Sequence, residues 1–403
     1  MAHFRKRQID EFFQPLMNFS PIVGIFGHRQ VGKSTFVSTR TKRYWTLDDK
    51  ETRLLIAENA KEFLHEQLQF PTTIDECQFE PDLFPALKEY VRTHKKPGQF
   101  ILTGSVRFTS RKAIRESLAG RMVDCEMLPL ILSELMASEL PDTLPSIMGH
   151  EVFSESSLSL LRGSKEGGRV QKFLEKYLIY GGLPGLCFVH NDRIREEGLR
   201  SLHRLILDRD LRLIIETKLS LETLERFLRL IASQAWNPYN ASEVRRVMGL
   251  SHQTQKNLLF ALESIFLIRR IPLSSRSGET ILFEDQYEER TLSNGKLARP
   301  DQILSALFRN SRAQFHYRIG NKASFESYWT RAGARVPLVI KCNSRALGLI
   351  VFEGSSPTLS QKRSADSFLR HDPTGKVLFL SDTPITPRIL DSRALLCSAA
   401  SII

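Results

Sequence analysis

The chain has 403 residues, 41% hydrophobic and 25% charged. These are the proportions of an ordinary globular protein and exclude a wholly disordered or fibrous one. Its length predicts two or three domains. The net charge of +12 sits late, with 20 Lys and Arg against 18 Asp and Glu in residues 1–140 and 37 against 27 beyond.

A basic excess of this kind favours a polyanion such as nucleic acid, or marks only a basic protein with no such partner. The longest strongly apolar run, Ala346–Phe352, falls far short of the roughly twenty residues of a membrane span. The basic N-terminus leads into Gln8-Ile9-Asp10-Glu11 and not into an apolar core, so no signal peptide is expected. The five cysteines are scattered and form no CxxC pair, which argues against a disulfide framework or a zinc site. A cytoplasmic protein with no membrane partner is the expectation.

Along the first 140 residues, short apolar runs alternate with amphipathic stretches. Pro21–Phe26 reads as a buried strand, Ser34–Thr41 as a helix, Tyr44–Leu47 as a strand and Arg53–Leu68 as a helix. Thr72–Ile74, Asp82–Thr93 and Gln99–Leu102 continue as strand, helix and strand. Alternation at this pitch predicts an α/β fold with a parallel sheet covered on both faces. Gly163–Gly168 reads as a linker, and Val170 to about Leu273 is mainly helical in period. Val336–Ile340, Leu347–Phe352 and Val377–Leu380 read as strands of a second α/β or α+β domain. The apolar end, Ala394–Ile403, is expected to dock as a terminal element.

Between the first strand and helix, Gly27-His28-Arg29-Gln30-Val31-Gly32-Lys33-Ser34 matches G-x-x-x-x-G-K-[ST] in full. Glycines let consecutive backbone N–H groups wrap phosphates, Lys33 reaches the β- and γ-phosphates, and the Ser34 hydroxyl joins a Mg²⁺ shell. Thr35 continues the helix whose positive end faces the anion. ATP with Mg²⁺ is therefore the expected ligand. Ile74-Asp75-Glu76 ends the third strand. Asp75 is expected to hold Mg²⁺ through water and Glu76 to act as general base. Thr103 or Ser105, at the end of the next strand, is placed to orient the water or sense the γ-phosphate, or Gly104 simply makes a turn.

Gly27–Thr35, Tyr44–Asp49, Ile74–Gln78, Leu102–Ser105, Ser117–Arg121 and Leu128–Leu130 with Ser133-Glu134 resemble a family of prokaryotic AAA-type ATPases. Members join the ATPase core to a winged helix and a C-terminal restriction-endonuclease-like domain. Tyr180-Gly181-Gly182-Leu183-Pro184 and Asp208-Arg209-Asp210 are similar to the family's lid. The resemblance is strong over 20–220, moderate to about 272 and weak beyond. It implies a P-loop NTPase core (1–140), a helical lid (141–225), a winged helix (226–285) and a C-terminal α/β domain (286–403). It also implies ATP hydrolysis, and places Pro184 in a lid loop over the adenine or ribose. Arg121 is read as reaching a γ-phosphate in cis or from a neighbouring copy, or as a surface ion pair.

Ala241–Met248, Gly249-Leu250-Ser251 and His252–Phe266 read as helix, turn and helix, with a wing from Ile271-Pro272-Leu273 and Ile281–Phe283. As a reader of duplex DNA, the second helix would present Ser251, His252, Gln253, Gln255 and Lys256 to bases, with Arg245, Arg246, Arg269 and Arg270 on phosphates. As a packing module it would present none of them. In the C-terminal domain, the nuclease pattern's metal Asp falls at Pro337, and its Glu-x-Lys falls at Val351 and Glu353. The domain is expected to be a degenerate nuclease fold serving as a platform. The combined expectation is an ATP/ADP-binding switch protein that hydrolyses ATP. A DNA-binding regulator, an ATP-dependent nuclease, a slow nucleotide switch and a homo-oligomeric motor stand as rivals.

Overall fold

The computed structural model describes residues 5–66, 69–107, 118–162, 167–318 and 323–403. An amphipathic pattern at Arg111–Leu118, which predicts a helix before Arg121, lies outside them except for its last residue, as does most of the linker Gly163–Gly168. The first sheet comprises β1 (Ile22–Phe26), β2 (Arg43–Thr46), β3 (Thr72–Asp75), β4 (Phe100–Gly104) and β5 (Met122–Glu126) in the order β2-β3-β4-β1-β5. Every pairing is parallel, with Phe26 opposite both Gly104 and Glu126. β1, β3 and β4 are buried along their whole length, and β1 reads as an unbroken apolar run while β3 and β4 carry polar residues at the site. Helices Lys50–Glu66 and Leu83–Thr93 cover one face. The strands expected from sequence agree to within a residue or two, whereas β5 was not foreseen. It is an edge strand whose residues are mostly half-exposed, so it shows no apolar run. The helix Asp10–Phe19, which buries Phe13 and Met17, was also not foreseen.

A single hydrophobic cluster runs from Val23 and Ile25 in β1 through Leu202 and Phe227 to Val244, Leu258 and Ile268. The other face of the sheet thus shares its core with helices Asp192–Leu205, Leu221–Ala232, Ala241–Met248 and His252–Ser264. Gly249 ends the third of these at φ +70°. The antiparallel hairpin β6 (Ile268–Pro272) and β7 (Glu279–Phe283) follows.

Several expected DNA contacts are turned inward here. Gln255 is buried, donating to the carbonyls of Ala241 (3.1 Å) and Leu250 (2.9 Å) and accepting from the Tyr239 hydroxyl (2.7 Å). Arg269 pairs with Glu126 and Glu284, and Arg270 with Glu279. Glu284 is buried, while Glu126, Glu279 and both arginines are part-exposed, and these pairs occupy the guanidinium groups that were expected on phosphates. The hairpin tip is likewise engaged, its Ser274 N–H donating to the Ser327 carbonyl at 3.0 Å.

The second sheet joins β8 (Ala323–Trp329), β9 (Arg335–Cys342), β10 (Arg345–Phe352), β11 (Gly375–Ser381), β12 (Arg388–Asp391) and β13 (Ala394–Ser398) in the order β12-β13-β11-β10-β9-β8. β8, β9 and β10 form an antiparallel meander, while β10, β11 and β13 run parallel. The end of the chain docks as expected, with β13 paired to β11 and Ile402 fully buried.

Helix Arg299–His316 joins this sheet to the rest, buried from Ile303 to Phe315. Its polar side chains satisfy backbone groups that would otherwise be stranded. Asn310 accepts from the Leu132 N–H at 2.7 Å and Gln314 from the Leu144 N–H at 3.1 Å.

Candidate functional site

Since all five strands of the first sheet point one way, the turns after β1, β3 and β4 share one edge. The turn after β1 is Gly27–Gly32. A Cβ at Gly27 would lie 2.2 Å from the Met127 carbonyl oxygen, and Gly32 sits at φ +96°. Any other residue at either position would push the loop off β5 or strain it. Lys33 opens the helix Lys33–Ser38 and folds back, its Nζ donating to the carbonyls of Gly27 and His28 at 3.0 Å each. Burial pulls the Lys33 pKa down, against the neighbouring Glu76 and Asp75 carboxylates.

Asp75 ends β3 as expected, and three hydroxyls converge on it. Ser34 Oγ donates to Oδ2 at 2.8 Å, the Tyr44 hydroxyl to the same oxygen, and Thr103 Oγ1 to Oδ1. Tyr44, exposed to this carboxylate from β2, was missed as a site residue. Burial, with Asp75 second, raises its phenol pKa. Thr103 is fully buried and commits its proton to Asp75. It therefore steadies that carboxylate. Ser34 and Asp75 are hard oxygen donors and fit Mg²⁺, whose shell waters and phosphate oxygens normally complete. Among the described residues no group of three or more His, Cys, Asp and Glu side chains is arranged for a metal.

Glu76 follows at φ +54°, a left-handed conformation rare outside glycine and frequent at working sites. Its Oε2 accepts from Gln78 Nε2 and lies 3.4 Å from Ser105 Oγ. Arg29 Nη1 stands 3.9 Å from its Oε1. The rest of the Arg29 guanidinium is held in a bidentate pair by Asp210, with Nε and Nη2 each 2.8 Å from a carboxylate oxygen. Burial opposes this charge, but Asp210 outweighs it and the Arg29 pKa is raised. Asp210 is buried, closes the π-helical turn Ile206–Asp210, and lies 3.3 Å from Ser105 Oγ. Next to it, Arg209 pairs with Asp48 and stacks on Phe79 at 4.2 Å. The lid segment quoted only for its resemblance thus touches the phosphate loop and the ends of β2, β3 and β4.

His28 points the other way, into the core. Its Nε2 lies 3.3 Å from Glu288 Oε2, a contact of opposite charge more than an aligned hydrogen bond, and Glu288 Oε1 lies 3.1 Å from His203 Nε2. Burial opposes the imidazolium, yet Glu288 raises the His28 pKa. Burial likewise opposes the Glu288 carboxylate, but His28 first and then His203 bring its pKa down to about 2. Asp285 accepts from the N–H groups of Gly182 (2.7 Å) and Leu183 (3.1 Å), fixing the turn that carries Pro184. Arg7 donates to the Val31 carbonyl at 2.6 Å, clamping the phosphate loop from the N-terminal side. No motif signals His203, Glu288, Asp285 or Arg7, because each is called to the site by packing.

These parts surround a cleft of about 630 Å³, lined among others by Arg29, Gln30, Gly32, Lys33, Ser34, Thr35, Asp75, Glu76 and Pro184. Its size suits a small-molecule ligand.

Arg121 is not part of it. The backbone enters β5 one residue later at Met122, opposite Ile22, whereas the phosphate loop follows Phe26 at the other end of β1. Four residues of strand, about 13 Å, separate the two ends. The chain must recross the sheet to start a parallel strand, so Arg121 comes out on the far edge. From there the side chain does not reach the cleft of its own chain, which leaves a neighbouring copy or a surface contact, and its Nη1 lies 3.3 Å from the Ala119 carbonyl.

Residues 19–136 match the AAA domain family, and residues 171–283 match a domain of unknown function (DUF8612). The chain thus carries an AAA-type P-loop domain. No curated protein matches the sequence. Among solved structures, a Walker-type ATPase of Pyrococcus abyssi is similar at 14% identity over 71% of this chain and 94% of its own, with a TM-score of 0.35. A Signal Transduction ATPase with Numerous Domains (STAND) protein with a tetratricopeptide repeat sensor, from Pyrococcus horikoshii, is similar at 12% identity over 79% of this chain and 48% of its own, with a TM-score of 0.28. Scores this low establish no shared architecture. Among the described residues no helix is long and apolar enough to cross a membrane.

Proposed function

We propose that the protein binds ATP with Mg²⁺ and hydrolyses it, and that the state of the nucleotide is passed to the helical lid and the C-terminal half. The observation that carries this reading is the contact between Ser34 and Asp75 at 2.8 Å, with Lys33 and Glu76 lining the same cleft. Backbone N–H groups of Gly27–Ser34 cradle the phosphates, and Lys33 leaves the two carbonyls it now serves to meet the β- and γ-phosphates. Ser34 and Asp75 hold Mg²⁺, which when bound offsets charge on the phosphate oxygens. Glu76 takes a proton from the attacking water as its oxygen bonds to the γ-phosphorus. The bond from phosphorus to the bridging oxygen breaks, and its electron pair leaves on ADP. Thr103 positions Asp75, Gln78 and Ser105 position Glu76, and Pro184 closes over the nucleotide.

Coupling runs through two contacts made by the phosphate loop itself, Arg29 to Asp210 in the lid and His28 to Glu288 at the start of the C-terminal domain. Binding of duplex DNA is a second reading, favoured by one observation: Arg245, Arg246, His252, Gln253 and Lys256 are exposed on adjoining helices. A homo-oligomer would give Arg121 a partner's cleft to serve.

The test of the leading reading is binding of a fluorescent ATP analogue and release of phosphate, for wild type and Lys33→Ala. Tight Mg²⁺-dependent binding and turnover that Lys33→Ala loses together are expected. Equal behaviour of the two proteins would refute it.

A further inference from the structure

The Arg29 side chain is a built feature and not a solvated loop residue. It is 11% exposed, and the carboxylate that grips it, Asp210, is 1% exposed. The bidentate pair fixes the plane of the guanidinium and consumes Nε and one edge of Nη2. Nη1 is left facing the cleft beside Glu76, at 3.9 Å and so short of a hydrogen bond. Lys33 and Arg29 therefore bring two positive charges to the space that the reaction of a γ-phosphoryl group must occupy.

Resting on the ATPase reading above, we propose that Arg29 is the catalytic arginine of this site, acting in cis, and that Asp210 is its positioning residue. In phosphoryl transfer, negative charge spreads over the equatorial oxygens as the water oxygen bonds to phosphorus and ADP departs. A donor already aimed at those oxygens needs no reorganisation at that moment, which is why preorganised charge accelerates a step more than mobile charge does. Asp210 supplies that aim from the lid. Only a lid seated on the phosphate loop completes the site, so lid position and turnover become one variable. The planar fork matters as well: a lysine at 29 has no second edge for Asp210 to hold.

The test compares wild type, Arg29→Ala, Arg29→Lys and Asp210→Asn in three measurements with Mg²⁺ present: kcat, affinity for a fluorescent ATP analogue, and affinity for ADP with aluminium fluoride as a transition-state mimic. Thermal melting checks each fold. Arg29→Ala is expected to lower kcat by about 10³-fold or more and to weaken the aluminium fluoride complex in parallel. ATP affinity should change by less than about tenfold, as expected for contacts made only in the transition state. Arg29→Lys should recover little. Asp210→Asn should lower kcat with KM nearly unchanged, a split that a merely structural lid contact would not produce. Wild-type kcat in Arg29→Ala, or an ATP affinity that falls as far as kcat, overturns the role. A wild type that binds ATP without turnover overturns the hydrolase reading itself, and is distinguished from failure of this role by the wild-type measurement alone.

Discussion

The two sheets of this chain both gather parallel strands under helices, yet their strand ends carry different chemistry. In the first, the ends of β1, β3 and β4 deliver a phosphate loop, two carboxylates and two hydroxyls to one cleft. In the second, β9 and β10 pair with Leu338 opposite Leu349, and Pro337 and Val351 stand where the resemblance to a nuclease domain would require metal carboxylates. Val351 is buried in the core, while Glu353 points to solvent just past the strand. The nearby Asp382 accepts from the Gly354 N–H at 3.0 Å and pairs with Arg299 at 3.4 Å. Similar layers thus carry the candidate site at the strand ends of the first sheet and, in the second, strands packed into the core. The architecture permits chemistry, and the side chains at the strand ends decide it.

The sharpest way to break this comparison is at Glu76. Glu76→Gln removes the proton acceptor but keeps the shape, so turnover should fall by about 10²–10⁴-fold while ATP stays bound. Phosphate release and analogue binding, measured side by side, read the two effects. Unchanged turnover would take the first sheet's edge out of the chemistry.

A second prediction concerns the joint between the halves. Glu288→Gln leaves His28 and His203 without their shared carboxylate in a site also facing Asp285, at an expected cost of about 3–5 kcal/mol. The sign of the pH effect follows from the shifts. The Glu288 pKa is brought from 4.5 to about 2, so its stabilisation is present above the ordinary carboxylate range and is lost as pH falls toward 2. The His28 pKa is raised from 6.5, so its share is whole below that value and fades as pH rises through the raised one. Denaturant titrations across pH should show wild-type stability highest between these limits and a flatter profile for the variant. Profiles of identical shape would mean that the pair carries no charge.

The helix His252–Ser264 separates its two readings at adjacent residues. Gln255→Ala should destabilise by about 1–3 kcal/mol, because two carbonyls and the Tyr239 hydroxyl lose their partner, and should leave any DNA affinity unchanged. Lys256→Ala should leave stability alone and lower the salt dependence of DNA binding by about one unit of slope. Titration of duplex DNA at several salt concentrations checks both. No binding at low salt would leave the helix as a packing element.

The smallest effect is expected at Glu353. Glu353→Ala should alter stability by no more than about 0.5 kcal/mol, as for an exposed side chain. Plasmid and linear DNA should stay intact with Mg²⁺ or Mn²⁺ for both proteins. Cleavage present in the wild type and lost in the variant would put a metal site back into the second sheet.

By itself, the sequence determined the phosphate loop, the strands around it, the carboxylates at Asp75 and Glu76 and the helix–turn–helix boundaries. Those features are written in neighbouring residues: a glycine pattern, a run of apolar side chains, a cap. Pro337 and Val351, where the resemblance to a nuclease would require metal ligands, are visible in the sequence for the same reason. Only the tertiary structure decided the rest. It buried Gln255 and paired Arg269 and Arg270 with carboxylates, because an exposed and a buried polar side chain look alike until their partners are known. It moved Arg121 to the far edge, since a parallel strand can begin only where the previous one did. It brought Asp210 and Glu288 to the phosphate loop across 181 or more residues of chain, with His203 behind Glu288. Such pairs are set by how the core closes, a balance of burial and charge summed over the whole molecule, and no local pattern in the sequence records it.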